Sequence, residues 1–149
     1  VSLSPRRIGL HPERQHLAAL AAFLLAGLPC SPVVQASPRL HCLIEQNGSS
    51  QTHTFAPVSN PYRVAPLDIS ERFRFKAVVI GDEQHVDYIK LYTYYQTKRR
   101  PELLHEVHYR APVATTAPTV DALSGQVSLY SPDLGREIRY ACALREEAP

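Results

Sequence analysis

The chain has 149 residues, 16 Lys or Arg against 14 Asp or Glu, and a formal net charge of +2 at pH 7. This length suits one domain of ordinary size, and so small a charge excess gives no electrostatic case for nucleic-acid binding. The excess lies at the start: residues 37–149 hold 13 basic and 13 acidic side chains, so the body is neutral.

The opening segment reads as an export leader. Arg6, Arg7 and Arg14 form a basic region, and Leu17 to Leu28 is almost wholly apolar. Pro29-Cys30-Ser31-Pro32 breaks that run, and Val34-Gln35-Ala36 offers small residues to a signal peptidase. The expectation is a signal peptide over 1–36, helical over its Ala- and Leu-rich part, with cleavage after Ala36. The apolar run is short for a bilayer span of about 20 residues, so no stable membrane span is expected after leader cleavage. Pro29 before Cys30 argues against a lipobox. The body, 37–149, is then periplasmic or secreted.

Within the body stand two cysteines, Cys42 and Cys142. Each shares strand parity with apolar neighbours: Leu40 and Ile44 in one case, Ile138, Tyr140 and Leu144 in the other. Both thiols should face the interior from strands near the two ends of the body. In an oxidising compartment they are expected to close a structural disulfide; their separation is far too long for a redox Cys-x-x-Cys motif.

In chain order, the first strand leads into Glu45 to Ser50, where Asn47-Gly48 is a strong turn signal. Gln51 to Phe55 makes a short strand, and Pro57, Pro61 and Pro66 impose an irregular crossing. The stretch 72–96 is a hairpin around Gly81-Asp82-Glu83-Gln84. In its first arm Phe73, Phe75, Ala77 and Val79 alternate with Arg72, Arg74 and Lys76. In its second arm Ile89, Leu91, Thr93 and Tyr95 share parity with His85 and Asp87, opposite Val86, Tyr88, Lys90, Tyr92 and Tyr94. Lys98-Arg99-Arg100 reads as a solvated turn. Leu103, His105, Val107 and Tyr109 form one face of the next strand, and Leu104, Glu106, His108 and Arg110 the other. Residues 111–119 read as a loop, 123–130 as a strand with Gly125 as a weak point, and 131–135 as a turn. Residues 137–144 return the last strand, before an irregular tail over 146–149.

Short strands with no long helix predict an all-β body: an immunoglobulin-like antiparallel β-sandwich, with a small β-barrel as the alternative. No cofactor motif is present and no enzyme is expected. Ser70, Ser124, Ser128 and Ser131 all have turn or strand roles, which leaves a nucleophilic triad without its parts.

Two candidate sites remain. Tyrosine buries its ring while keeping a hydroxyl for an interface, so Tyr88, Lys90, Tyr92 and Tyr94, on one strand face, predict a surface for another extracytoplasmic protein. The alternative is metal handling through His85, Asp87 and His105, since imidazole and carboxylate suit Zn²⁺ or Cu²⁺. His41 and His53 could add ligands to it. His105-Glu106-Val107-His108 falls one residue short of the His-Glu-x-x-His spacing of helical zinc proteases.

Overall fold

In the computed structural model the described residues are 35–132 and 134–148. The apolar helix expected within the leader lies outside them. Eight strands run in order: β1 (Ser37–Gln46), β2 (Ser49–Phe55), β3 (Leu67–Ile69), β4 (Phe73–Gly81), β5 (Val86–Gln96), β6 (Pro101–Arg110), β7 (Gln126–Tyr130) and β8 (Glu137–Glu147). A 3-10 turn at Pro61–Arg63 lies in the proline-rich crossing. All strand pairings are antiparallel, in two four-stranded sheets ordered β2-β1-β8-β7 and β3-β4-β5-β6.

The two sheets share one core, to which the two-residue period of each strand contributes its apolar parity. From the first sheet come Leu40, Cys42 and Ile44 of β1, and Ile138, Tyr140, Cys142 and Leu144 of β8. From the second come Phe73, Phe75, Ala77 and Val79 of β4, with Val86, Ile89, Leu91 and Tyr95 of β5. Aromatic contacts bridge the layers. The Phe75 ring lies 5.1 Å from that of Tyr140 and 6.3 Å from that of Phe55 in β2. Such tilted pairs add to the area that each ring removes from water.

Turn chemistry places the first hairpin as expected. Asn47 and Gly48 both take positive φ, 52° and 75°, the two-residue geometry whose twist matches that of antiparallel strands. The crossing after β2 stays irregular, but Val58 is pinned to β4: its N–H donates to Val79 O at 2.9 Å and its carbonyl accepts from Gly81 N.

Cys42 and Cys142 form the disulfide, with both residues fully buried. They sit directly opposite each other on paired β1 and β8, with a Cα–Cα distance of 4.1 Å. The bridge therefore ties neighbouring strands of one sheet. Immunoglobulin domains instead join their two sheets by the corresponding bond, with Greek-key connections. Here the second sheet is a plain meander, so the all-β two-sheet arrangement is observed and the immunoglobulin-like label is not established by it.

Several boundaries differ from the sequence reading. Glu45, Gln46, Ser49 and Ser50, expected in the first turn, are paired strand residues, and β6 begins at Pro101. Leu67–Ile69 is a strand, paired with Phe73–Phe75. The expected strand over 123–130 begins only at Gln126, because Leu123 and Ser124 instead seal the edge of β8. Their N–H groups donate to Cys142 O, and Ser124 Oγ accepts from Cys142 N at 2.7 Å. The expected tail is ordered further than foreseen: β8 runs to Glu147, held by pairing with Ser37 to Leu40 of β1.

Candidate functional site

The tyrosine face is built by β5 and depends on a bulge. Ile80 pairs with Tyr88, but Gly81 pairs with Val86, which leaves Asp87 as the extra residue. A bulge of this kind reverses the parity of everything on one side of it. Val86 is thereby buried in the core beside Ile89 and Leu91, although simple alternation assigns it to the tyrosine side. Tyr88, Lys90, Tyr92 and Tyr94 all point away from the core and are half-buried. Tyr95 takes the inner parity, packed on Phe73 at 5.5 Å.

Gly81 makes the bulge possible. A Cβ there would lie 2.2 Å from His85 O and 2.8 Å from Val86 Cα, both backbone atoms that cannot swing away. Gly81→Ala is expected to destabilise the fold by about 2 kcal/mol or more. Thermal melting checks this, and unchanged melting would show that the turn rearranges freely.

On the outer face the side chains interlock. Tyr92 and Tyr94 stack with centroids 6.2 Å apart and planes 15° from parallel. The His108 ring of β6 meets Tyr88 edge-on at 5.3 Å. Between them Lys90 Nζ donates to Glu106 Oε1 at 3.2 Å. That hydrogen bond raises the Lys90 pKa above its ordinary value, and the Tyr92 oxygen adds to the effect. Burial raises the Tyr94 pKa, with Tyr92 and Glu106 contributing. Both shifts keep the charge state at neutral pH as it is: lysine cationic, phenol neutral. Arg74 and Lys76 of β4, opposite Tyr94 and Tyr92, flank the rings with positive charge. The face thus carries two aromatic clusters with the Lys90–Glu106 pair between them and positive charge along its β4 side.

Tyr109 and Tyr130 do not extend this surface. Tyr109 faces inward against the core, and burial raises its pKa. Tyr130 belongs to the other sheet, where its hydroxyl donates to Glu137 Oε1 at 3.2 Å.

The proposed metal trio is not brought together. His85 sits in the β4–β5 turn, with Nδ1 3.1 Å from Asp82 Oδ1 and Nε2 3.1 Å from Asp87 Oδ1. Asp82 also accepts the N–H groups of Gln84 and His85, and these bonds lower its pKa. His105 lies opposite Thr93, six residues along β5 from Asp87, or about 20 Å at the rise of an extended strand. It turns inward, where Nδ1 shares a hydrogen bond of 3.0 Å with the Tyr140 hydroxyl. His41 pairs with Thr54 Oγ1 and Glu147 in the other sheet, and His53 stands opposite Cys42. Among the described residues no group of three or more His, Cys, Asp or Glu side chains is placed to hold a metal ion.

The sequence reading missed the part-buried His105–Tyr140 bond. Its signal was present: His105 shares parity with Val107 and Tyr109. Burial pushes the Tyr140 pKa well above the ordinary phenol range, so the phenol keeps its proton in this contact. The Lys90–Glu106 pair carried no local signal, because it depends on how β5 and β6 align.

No protein-family model, curated protein or solved structure matches this chain. Among the described residues no helix is long and apolar enough to cross a membrane.

Proposed function

We propose that this chain is an exported, non-catalytic β-sandwich that binds or stabilises another extracytoplasmic protein through the outer face of β5. The observation that carries the reading is the convergence of Tyr88, Lys90, Tyr92 and Tyr94 on one strand face, with His108 and Glu106 interleaved from β6. Tyrosines held by their neighbours lose little side-chain entropy on binding, and the charges between and beside them supply orientation.

The closed Cys42–Cys142 bridge supports the extracytoplasmic part of the reading, since structural disulfides persist where the environment is oxidising. Ala36 is exposed and stands immediately before β1. Cleavage after it would begin the mature chain at the first strand without removing any of the core.

Tyr92 lies at the centre of the face and tests it. Tyr92→Ala is expected to reduce recovery of the partner in a pull-down from the exported fraction by about tenfold or more, with melting little changed. Equal recovery by the wild type and the variant would count against this surface.

A further inference from the structure

The second sheet ends on a strand whose outer side is open. β6 has ten residues and pairs only with β5; among the described residues no strand takes its other side. The direction of its backbone groups follows from the alternation of antiparallel pairing. Val79 O and Gly81 N are used by Val58, on the β4 side away from β5. Even-numbered β4 residues, Val78 among them, therefore face β5. Val78 is opposite Lys90, and Leu91 is opposite Val107, so odd-numbered β6 residues from His105 onward face β5. The N–H of Ala111, which donates to Asp87 O at 2.8 Å, continues that phase. The N–H and C=O groups of Glu106, His108 and Arg110 consequently point away from the sheet.

An open edge is commonly blunted by prolines, bulges and charges. Here the blunting is confined to the ends. Pro101 begins the strand, the register shifts at Leu104, and Pro112 follows Arg110 and Ala111. The free window is Glu106 to Arg110, and its side chains are complementary to themselves. In an antiparallel pairing centred on His108, Glu106 of one copy stands opposite Arg110 of the other, on the same outer face. The twofold axis repeats that pair. Val107 meets Tyr109 on the inner face, a branched-aromatic pair of the kind that stabilises sheets. Every outward backbone group in the window finds a partner in this register. Glu106 already holds Lys90, and Arg110 makes no ion pair with any described residue, so the pairing would complete a Lys–Glu–Arg alternation.

We propose that β6 is a self-association edge, at which two copies of this chain join their second sheets across a twofold axis at His108. The pairing runs through the backbone edge of β6 and the tyrosine contact through the outer face of β5. Glu106 and His108 border both, so the β6 variants are judged by self-association and Tyr92→Ala by partner recovery. Tyr92 lies on β5, so Tyr92→Ala leaves the pairing intact.

Sedimentation equilibrium tests the pairing. The protein is expected to form dimers at roughly 100 µM, the range in which weak edge contacts populate. Glu106→Arg and Arg110→Glu each set like charges opposite one another and should weaken association by about tenfold, while the double exchange Glu106→Arg with Arg110→Glu restores it. In a Cys30→Ser background, His108→Cys should yield a covalent dimer under mild oxidation, because a directly opposed pair lies within disulfide reach. Glu106→Cys should not, since its own copy is displaced along the strand by about 13 Å. A monomer at that concentration overturns the proposal. So does a dimer indifferent to both charge reversals, or one that Glu106→Cys links as readily as His108→Cys.

Discussion

Replacing Cys42 and Cys142 together with alanine is expected to lower stability by about 3–5 kcal/mol and the melting temperature by roughly 10–20 °C. The two residues are 100 apart in sequence, and a closed loop of about that length carries an idealised unfolded-state effect of about 4.7 kcal/mol. In the native state β1 and β8 remain joined by a ten-pair ladder without the bond. The variant should therefore keep its strand content at low temperature and lose its margin against heat. Circular dichroism melts with and without reductant check both parts. If reduced wild type and the alanine double variant both melt like the oxidised protein, the bridge restrains little of the unfolded chain.

Phe75→Ala is expected to cost about 3–5 kcal/mol, the range for removing a fully buried aromatic ring. Phe75 has no solvent exposure and touches aromatic rings of both β2 and β8 in the opposite sheet. Its loss would open a void where the layers meet, with Tyr140 and Phe55 fixed by their own strands and little able to fill it. Urea titration measures the loss as a lower midpoint at unchanged slope. Phe75→Leu should recover more than half of it, since most of the volume returns. A cost near 1 kcal/mol for Phe75→Ala would mean that the layers close over the void, contrary to rigid packing between the sheets.

Cys42 and Phe75 also show what was legible in the chain. Both lie in runs with a clean two-residue period, where burial on one side alone dictates which side chains turn inward. Cys42 between Leu40 and Ile44, and Phe75 between Phe73 and Ala77, could be assigned to the interior from their neighbours. The reading failed where the period is broken. Simple alternation puts Val86 on the same side as Tyr88 until Asp87 is counted as a bulge. The signal for that bulge lay at Gly81, on the other arm of the hairpin, where a side chain has no room. The tyrosine face survived the error because Tyr88, Lys90, Tyr92 and Tyr94 all fall after the bulge. The metal trio did not survive, because its members were grouped by chemistry without a register. Thr93 opposite His105 separates them along the strand.

The order of strands was beyond local pattern altogether. Nothing in the sequence of β1 or β8 states that they are neighbours, apart from the cysteine pair. A disulfide between sheets would have satisfied that pair equally well, and the immunoglobulin-like expectation rested on short strands without a long helix, a pattern that leaves strand order open.

The placement of the bridge has a mechanical consequence. β1 begins at Ser37 opposite Glu147, where β8 ends, so a pull separating those two points would load the ladder as a zipper, one pair at a time. Peeling would pass the five pairs from Ser37–Glu147 to His41–Ala143 and then reach Cys42–Cys142. Tension beyond that position would be carried by a covalent bond, and the remainder of both sheets would stay shielded from it.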